Sequence, residues 1–200
     1  MIYEVLDFLR QRLESSLSEG KAPGEPQVAL STPWSNNDNH KSANFLNAIS
    51  LINVEEERLF KTQTPSIVQK TDGRYFQKEP DLKLNLYILV STYHKMYEDG
   101  LRSLSRIVRF FQANNVFVNG GGPGVKGELP EGVEKIITEL WSAGFEQQNQ
   151  IWASLSTGYI PSVIYKIRMI IIDSAPADKP VVPVTSIKTT SYIIEDNKFI

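Results

Sequence analysis

The apolar positions of the first eighteen residues recur in steps of three and four. Ile2, Val5, Leu6, Leu9, Leu13 and Leu17 share a stripe, with Asp7, Arg10, Arg12 and Glu14 largely off it, so the spacing predicts an amphipathic helix over 2–18 that stops at Gly20. Lys21 to Asn44 is rich in Pro, Gly, Ser and Asn. It holds a short strand candidate, Gln27 to Leu30, and the run SNNDNHKSAN, which reads as an exposed loop. Ala48 to Val54 predicts a strand with Ile49 and Leu51 on one face and Ile52 and Val54 on the other. It runs into Glu55, Glu56, Glu57 and Arg58, where burial must stop. Thr62 to Glu79 reads as a mobile polar stretch.

Leu82 to Tyr93 is the clearest strand. Leu82, Leu84, Leu86, Ile88 and Val90 make one apolar face, and the opposite face turns apolar midway. Tyr97 to Gln112 predicts a helix with Leu101, Leu104, Val108 and Phe111 on one face, reinforced by Ile107 and ended by Asn114-Asn115. Val116 to Val118 leads into a turn-forming NGGGPGVKG. Gly132 to Trp141 fits either helix or strand. Phe145 to Leu155 has helical spacing through Phe145, Gln148, Trp152 and Leu155, with Ile151 beside them. Val163 to Ile172 predicts a strand with Val163, Tyr165, Ile167, Met169 and Ile171 on one side, and Lys166 and Arg168 on the other, mixed face. Beyond Asp173 comes a proline-spaced SAPADKPVVPV and then a strand-prone Ser186 to Ile194. The fold class expected is α+β, a mixed, mainly antiparallel sheet with flanking helices, in a domain over 1–175 with an extended arm over 176–200.

Composition narrows the chemistry. The chain has 200 residues, 21 Lys and Arg against 23 Asp and Glu, and no cysteine. A formal charge of −2 gives no basic stripe for nucleic acid, and the lack of thiols removes disulfides, thiolate nucleophiles and cysteine-bound zinc. The N-terminal residues read as a helix without a signal-peptide leader, and no apolar run approaches the ~20 residues that span a bilayer, so membrane insertion is not expected.

Candidate catalytic groups do not assemble. Glu55, Glu56 and Glu57 alternate sides of a strand and cannot converge as an acid–base pair. His40 and His94 are the only histidines, far apart, with His40 in a polar loop, so no nitrogen-rich metal site is expected. No serine sits in a G-x-S-x-G turn, and GGGPGVKG lacks the Gly-Lys-Ser/Thr of a phosphate loop. Phe110, Phe111, Phe117, Trp141, Phe145 and Trp152 read as core, with one or two at a subunit interface. Neither a catalytic residue, a cofactor nor a metal is expected. Pro176, Pro180 and Pro183 keep the arm extended, and SIKTTSYII after it suits a strand, either the last of its own domain or one added to an exposed sheet edge.

The segments IYEVLDFLRQRLE, ISLINVEEERLF, LNLYILVS, LRSLSRIVRFFQAN and WASLSTGYIPSVIYKIRMIIIDS together resemble the tail-terminator or cap proteins of contractile injection systems, including extracellular ones such as antifeeding prophages. NVEEER, FFQAN and YxPSVxYKxRM carry most of the likeness, which covers about residues 1–175. The resemblance implies a phage tail-terminator-like sheet with flanking helices, in which Gly132 to Trp141 is a strand. It implies a homo-oligomer, a hexameric ring, seated on the last layer of the inner tube protein and holding the last layer of the sheath protein. Cytoplasmic assembly into a particle that is released or anchored goes with that role. Ser35 to Asn44 and the GGGPG segment depart from the family and take no role from it.

Candidate interface residues are Glu55, Glu56, Glu57 and Arg58 at the strand end, Lys166 and Arg168 on the mixed face, and Tyr192, Ile193 and Ile194 in the arm, with acidic and basic groups expected to meet across subunits. The alternatives are a baseplate or tube-adaptor protein of the same machine, a small enzyme with a pocket between sheet and helices, and a ligand-binding module.

Overall fold

Helix α1 (Ile2–Ser18) buries Val5, Leu6, Leu9, Leu13 and Leu17 as the spacing predicts, and Phe8 beside them. In this computed structural model, residues 1–18, 27–33, 46–58, 66–69, 74–78, 80, 82–118, 128–172 and 188–189 are described. The Glu14 carboxylate at the edge of the α1 stripe accepts the backbone N–H groups of Gln27 and Val28, at 2.8 and 2.6 Å, and so fixes the start of β1 (Val28–Leu30). Charge-assisted bonds of this kind are roughly twice as strong as neutral ones.

The chain divides into two units, Met1–Thr62 with Asp81–Asp173, and Gln63–Pro80 with Ser174–Ile200. The first holds a six-stranded sheet. Its remaining strands are β2 (Asn47–Glu56), β5 (Leu82–Thr92), β6 (Val116–Val118), β7 (Lys135–Leu140) and β8 (Ser162–Ile172), in the order β1-β2-β5-β8-β7-β6. β1 runs parallel to β2 and every other neighbour is antiparallel. Within Gly132 to Trp141, Lys135–Leu140 is strand and not helix, and Gly132 before it lies in a turn with φ of 79°. In the second unit, β3 (Ser66–Gln69) and β4 (Tyr75–Lys78) pair antiparallel. The reading of Thr62 to Glu79 as one mobile stretch is therefore corrected. Ile67, Val68, Tyr75 and Phe76 supply strand formers, and the Asp72-Gly73 dipeptide between them is a hairpin signal.

One sheet face carries α1 and α2 (Tyr97–Ala113), and the core lies there. Leu86, Ile88, Val90 and Ile167 pack against Leu9, Leu13, Ile107 and Phe111, with Phe8 meeting Phe117 edge to face at 5.5 Å. A buried polar clasp ties the α2 start to the sheet. Ser103 donates to the Asn47 side chain at 2.8 Å, and Asn47 donates in turn to the Gln27 carbonyl at 2.9 Å. The face of α2 that is buried runs through Gly100, Ser103, Ile107, Phe110 and Phe111. The expected face is thus corrected, since Leu101 and Val108 lie exposed on an adjoining row. Helix α3 (Phe145–Ser154) covers part of the second face with a smaller cluster of Trp152, Leu89 and Ile164, backed by Ile52, Ile151 and Leu155. Phe145, expected in the α3 stripe, is instead 94% exposed.

Candidate functional site

Strand register decides which charges share a surface. β2 pairs Leu51 with Ile88 but Asn53 with Tyr87, so Ile52 is an extra residue, a β-bulge. Without it Glu55 and Glu57 would share the face of Ile49. The bulge reverses the alternation, so Val54 pairs with Leu86 in the row of Leu51, correcting its expected position beside Ile52. Glu55 and Glu57 turn to the second face and Glu56 to the first. β8 slips likewise between Leu86↔Ile167 and Leu84↔Ile170, which replaces the strict alternation expected through Met169 and Ile171.

The two carboxylates thereby meet Lys166 and Arg168 on one surface. Tyr87 donates to Glu55 at 2.8 Å, and the Lys166 ammonium lies 3.6 Å from Glu55 and 5.3 Å from the centre of the Tyr87 ring. Arg168 reaches Glu139 of β7 at 3.1 Å and Glu57 at 3.8 Å, and Glu57 also accepts from the buried Asn85 amide at 3.0 Å. Trp141 stands edge-on to Tyr87 at 5.5 Å, where the charged patch meets the α3 cluster. Burial and the hydrogen bond to Glu55 push the Tyr87 hydroxyl above its ordinary pKa. Burial pulls Lys166 down, but the Tyr87 hydroxyl and the Glu55 charge outweigh it and the net shift is upward. These groups form a ladder across four strands, three acids and two bases.

Of the residues expected at an interface, the structure brings Glu55, Glu57, Lys166 and Arg168 together within one chain. The acid–base pairing seen here lies inside the sheet of a single chain. Glu56 takes the opposite face, and Arg58 is exposed just past the strand. Tyr192, Ile193 and Ile194 lie outside the described residues, as do His40 and the loops 35–44 and 119–127. Sequence reasoning did not single out Glu139, Asn85 or Tyr87, which complete the ladder. Their signal was the polar break in an otherwise apolar second face.

Among the described residues no group of three His, Asp or Glu side chains converges as metal ligands, and no helix is long and apolar enough to cross a membrane. An open groove of about 530 Å³ lies between the start of α1, the end of β1 and the edge of β2, lined by Ile2, Leu6, Leu30, Pro33, Leu51 and others; among the described lining residues Tyr3 is the only titratable one. The described lining residues offer neither a carboxylate nor an imidazole for acid–base chemistry.

Comparison with known proteins places this fold. The sheath/tube terminator of an extracellular contractile injection system, PVC, in its extended state, is similar with a TM-score of 0.59 at 14% identity, covering 99% of this chain and 65% of that one. The tube-terminating cap of the anti-feeding prophage is similar with a TM-score of 0.60 at 13% identity, covering 94% and 60%. At these identities the likeness is one of fold, and this chain spans less than two thirds of either structure's length. No curated protein sequence matches. Residues 4–186 match the family described as the Pvc16 N-terminal domain, and the chain belongs to that family.

Proposed function

We propose that this protein is a structural terminator of a contractile injection system, a cap that closes the inner tube and anchors the last sheath layer. Its membership of the Pvc16 N-terminal domain family carries the reading, supported by a fold shared with two tube-terminating proteins. A terminator acts by presenting one surface to a finished polymer and refusing the next layer, so its work lies in outer surfaces. The charged ladder suits that work. Glu55 and Glu139 are about half exposed while Lys166 and Arg168 are fixed beside them, giving a preset pattern of charge that costs little side-chain entropy on docking. Single exposed pairs are worth only about 0–1 kcal/mol, so the pattern acts through orientation more than strength.

In this reading six copies form the ring, which assembles in the cytoplasm with tube and sheath proteins and travels with the extracellular particle. Glu55, Glu56, Glu57 and Arg58, with Lys166 and Arg168, form its contact zone, and Tyr192, Ile193 and Ile194 extend that zone along the arm. No enzymatic step is part of the role. The test is to delete the protein and image the particles by electron microscopy. Tubes or sheaths of uncontrolled length, or sheaths detached from tubes at the end far from the baseplate, are expected. Particles of normal length with intact ends would refute the role.

A further inference from the structure

Among the described residues the sheet has two open edges, and their heights match. β1 covers β2 only from Asn47 to Ile49. The Asn47 N–H and Ile49 C=O point to the β1 side and the Glu57 N–H points to β5. With the bulge between, the backbone groups of Leu51 and Val54 point outward, and among the described residues they meet no partner. At the far edge, the Asn115 carbonyl faces β7, so the N–H and C=O groups of Val116 and Val118 point outward and are likewise unpartnered among the described residues. Leu51, Val54 and Val116 are 40%, 43% and 37% exposed, so both edges show apolar side chains beside their free backbone groups. Open apolar edges of this kind recruit another strand.

Following partners across the sheet, the Thr138 N–H donates to the Asn115 carbonyl and Thr138 pairs with Ile167. Ile167 pairs with Leu86, and Leu86 with Val54. Asn115, at the start of β6, and Val54 thus sit at the same level on opposite edges, with their side chains on the same face of the sheet. Four antiparallel steps separate β2 from β6, so both strands run in the same direction. A rotation about an axis along the strands, with no rise, would set β6 of one copy parallel to β2 of the next, in line with the β1 that already pairs parallel there. A contact between two different patches closes into a ring only when the rise is zero and otherwise winds into a filament.

We infer that β6 of one copy adds to the β2 edge of its neighbour at Val54, continuing the sheet from subunit to subunit. The partner is a second copy of this chain. The inference rests on the ring-forming terminator reading and supplies its joint. The groove beside Leu51 would receive side chains flanking the added strand.

The absence of cysteine makes the test clean. Val54→Cys and Asn115→Cys chains, both at exposed positions and each checked for native circular dichroism, are mixed and oxidised, and compared on a non-reducing gel with Val54→Cys mixed with Tyr159→Cys, another exposed site. Adjacent strands lie about 4.8 Å apart, within disulfide reach. A shift from monomer to linked dimer in the Val54/Asn115 mixture alone is expected, and a ladder of linked species up to the ring number from the double variant. Native mass spectrometry of the unmodified chain separates the two possible failures. An oligomer without the selective cross-link overturns edge pairing and leaves the ring reading standing, whereas a monomer under all conditions overturns both.

Discussion

At Arg168 the charged surface turns into stability. Its guanidinium bridges Glu57, just past the end of β2, and Glu139 of β7 from a strand between them, and it is 30% exposed while Glu57 is 12% exposed. Removing the cation takes one counter-charge from a largely desolvated carboxylate, and that loss can cost more than the ion pair itself contributed. Lys166 stands differently, because Glu55 is 51% exposed and still accepts from Tyr87 when the lysine is gone. Arg168→Met is therefore expected to lower unfolding free energy by about 1–3 kcal/mol, and Lys166→Met by no more than about 1 kcal/mol. Urea denaturation of the two variants checks the order. Equal effects, or a larger loss at Lys166, would show that Glu57 is held by other contacts.

At the level of elements, the bulge at Ile52 sets the function-bearing surface more than any single side chain. It moves Glu55 and Glu57 to the ladder and leaves Ile52 against the α3 cluster. Deleting Ile52 would restore simple alternation and drive both carboxylates toward the helix-bearing face, reversing the strand beyond that point. Loss of soluble folded protein is expected on deletion, whereas Ile52→Val keeps the count and should cost only about 0.5–1.5 kcal/mol. A deletion variant that melts like the parent would mean the register re-forms without the extra residue. This is also where the sequence is least readable. The strong apolar alternation of Leu82 to Val90 and the α1 stripe announce themselves, because burial on one face leaves a period behind. A bulge leaves the composition unchanged and only shifts the phase, so Val54 was assigned to the wrong face. In α2 the row of Tyr97, Leu101 and Val108 competes with Ile107, Phe110 and Phe111 on hydrophobicity alone, and the small residues Gly100 and Ser103 that allow close approach to the sheet carry no apolar signal. The acidic run and Lys166 with Arg168 were visible as candidates, but their mutual contact depends on strand order, β2-β5-β8-β7, which spacing does not encode.

For the whole molecule, both hydrophobic clusters and all six strands of the main sheet belong to the unit of Met1–Thr62 with Asp81–Asp173. Among the described residues, no core residue of either cluster comes from beyond Ile167. The stability of that unit should therefore be nearly independent of the arm, even though the arm makes up the last 25 residues of the expected domain plan. A chain ending at Ala175 is expected to unfold cooperatively within about 2–4 °C of the full chain by circular dichroism, a shift worth no more than ~1 kcal/mol for a domain of this size. It also keeps both open edges, so native mass spectrometry should find the same oligomer. What it lacks is the proline-spaced segment and the strand-prone SIKTTSYII, so particles carrying it should show closed tubes whose last sheath layer has come away. The two readouts separate folding and ring closure from anchoring. A truncated chain that melts far below the parent would place part of the fold's support in the arm, and one that anchors sheath normally would assign that contact to the charged ladder alone.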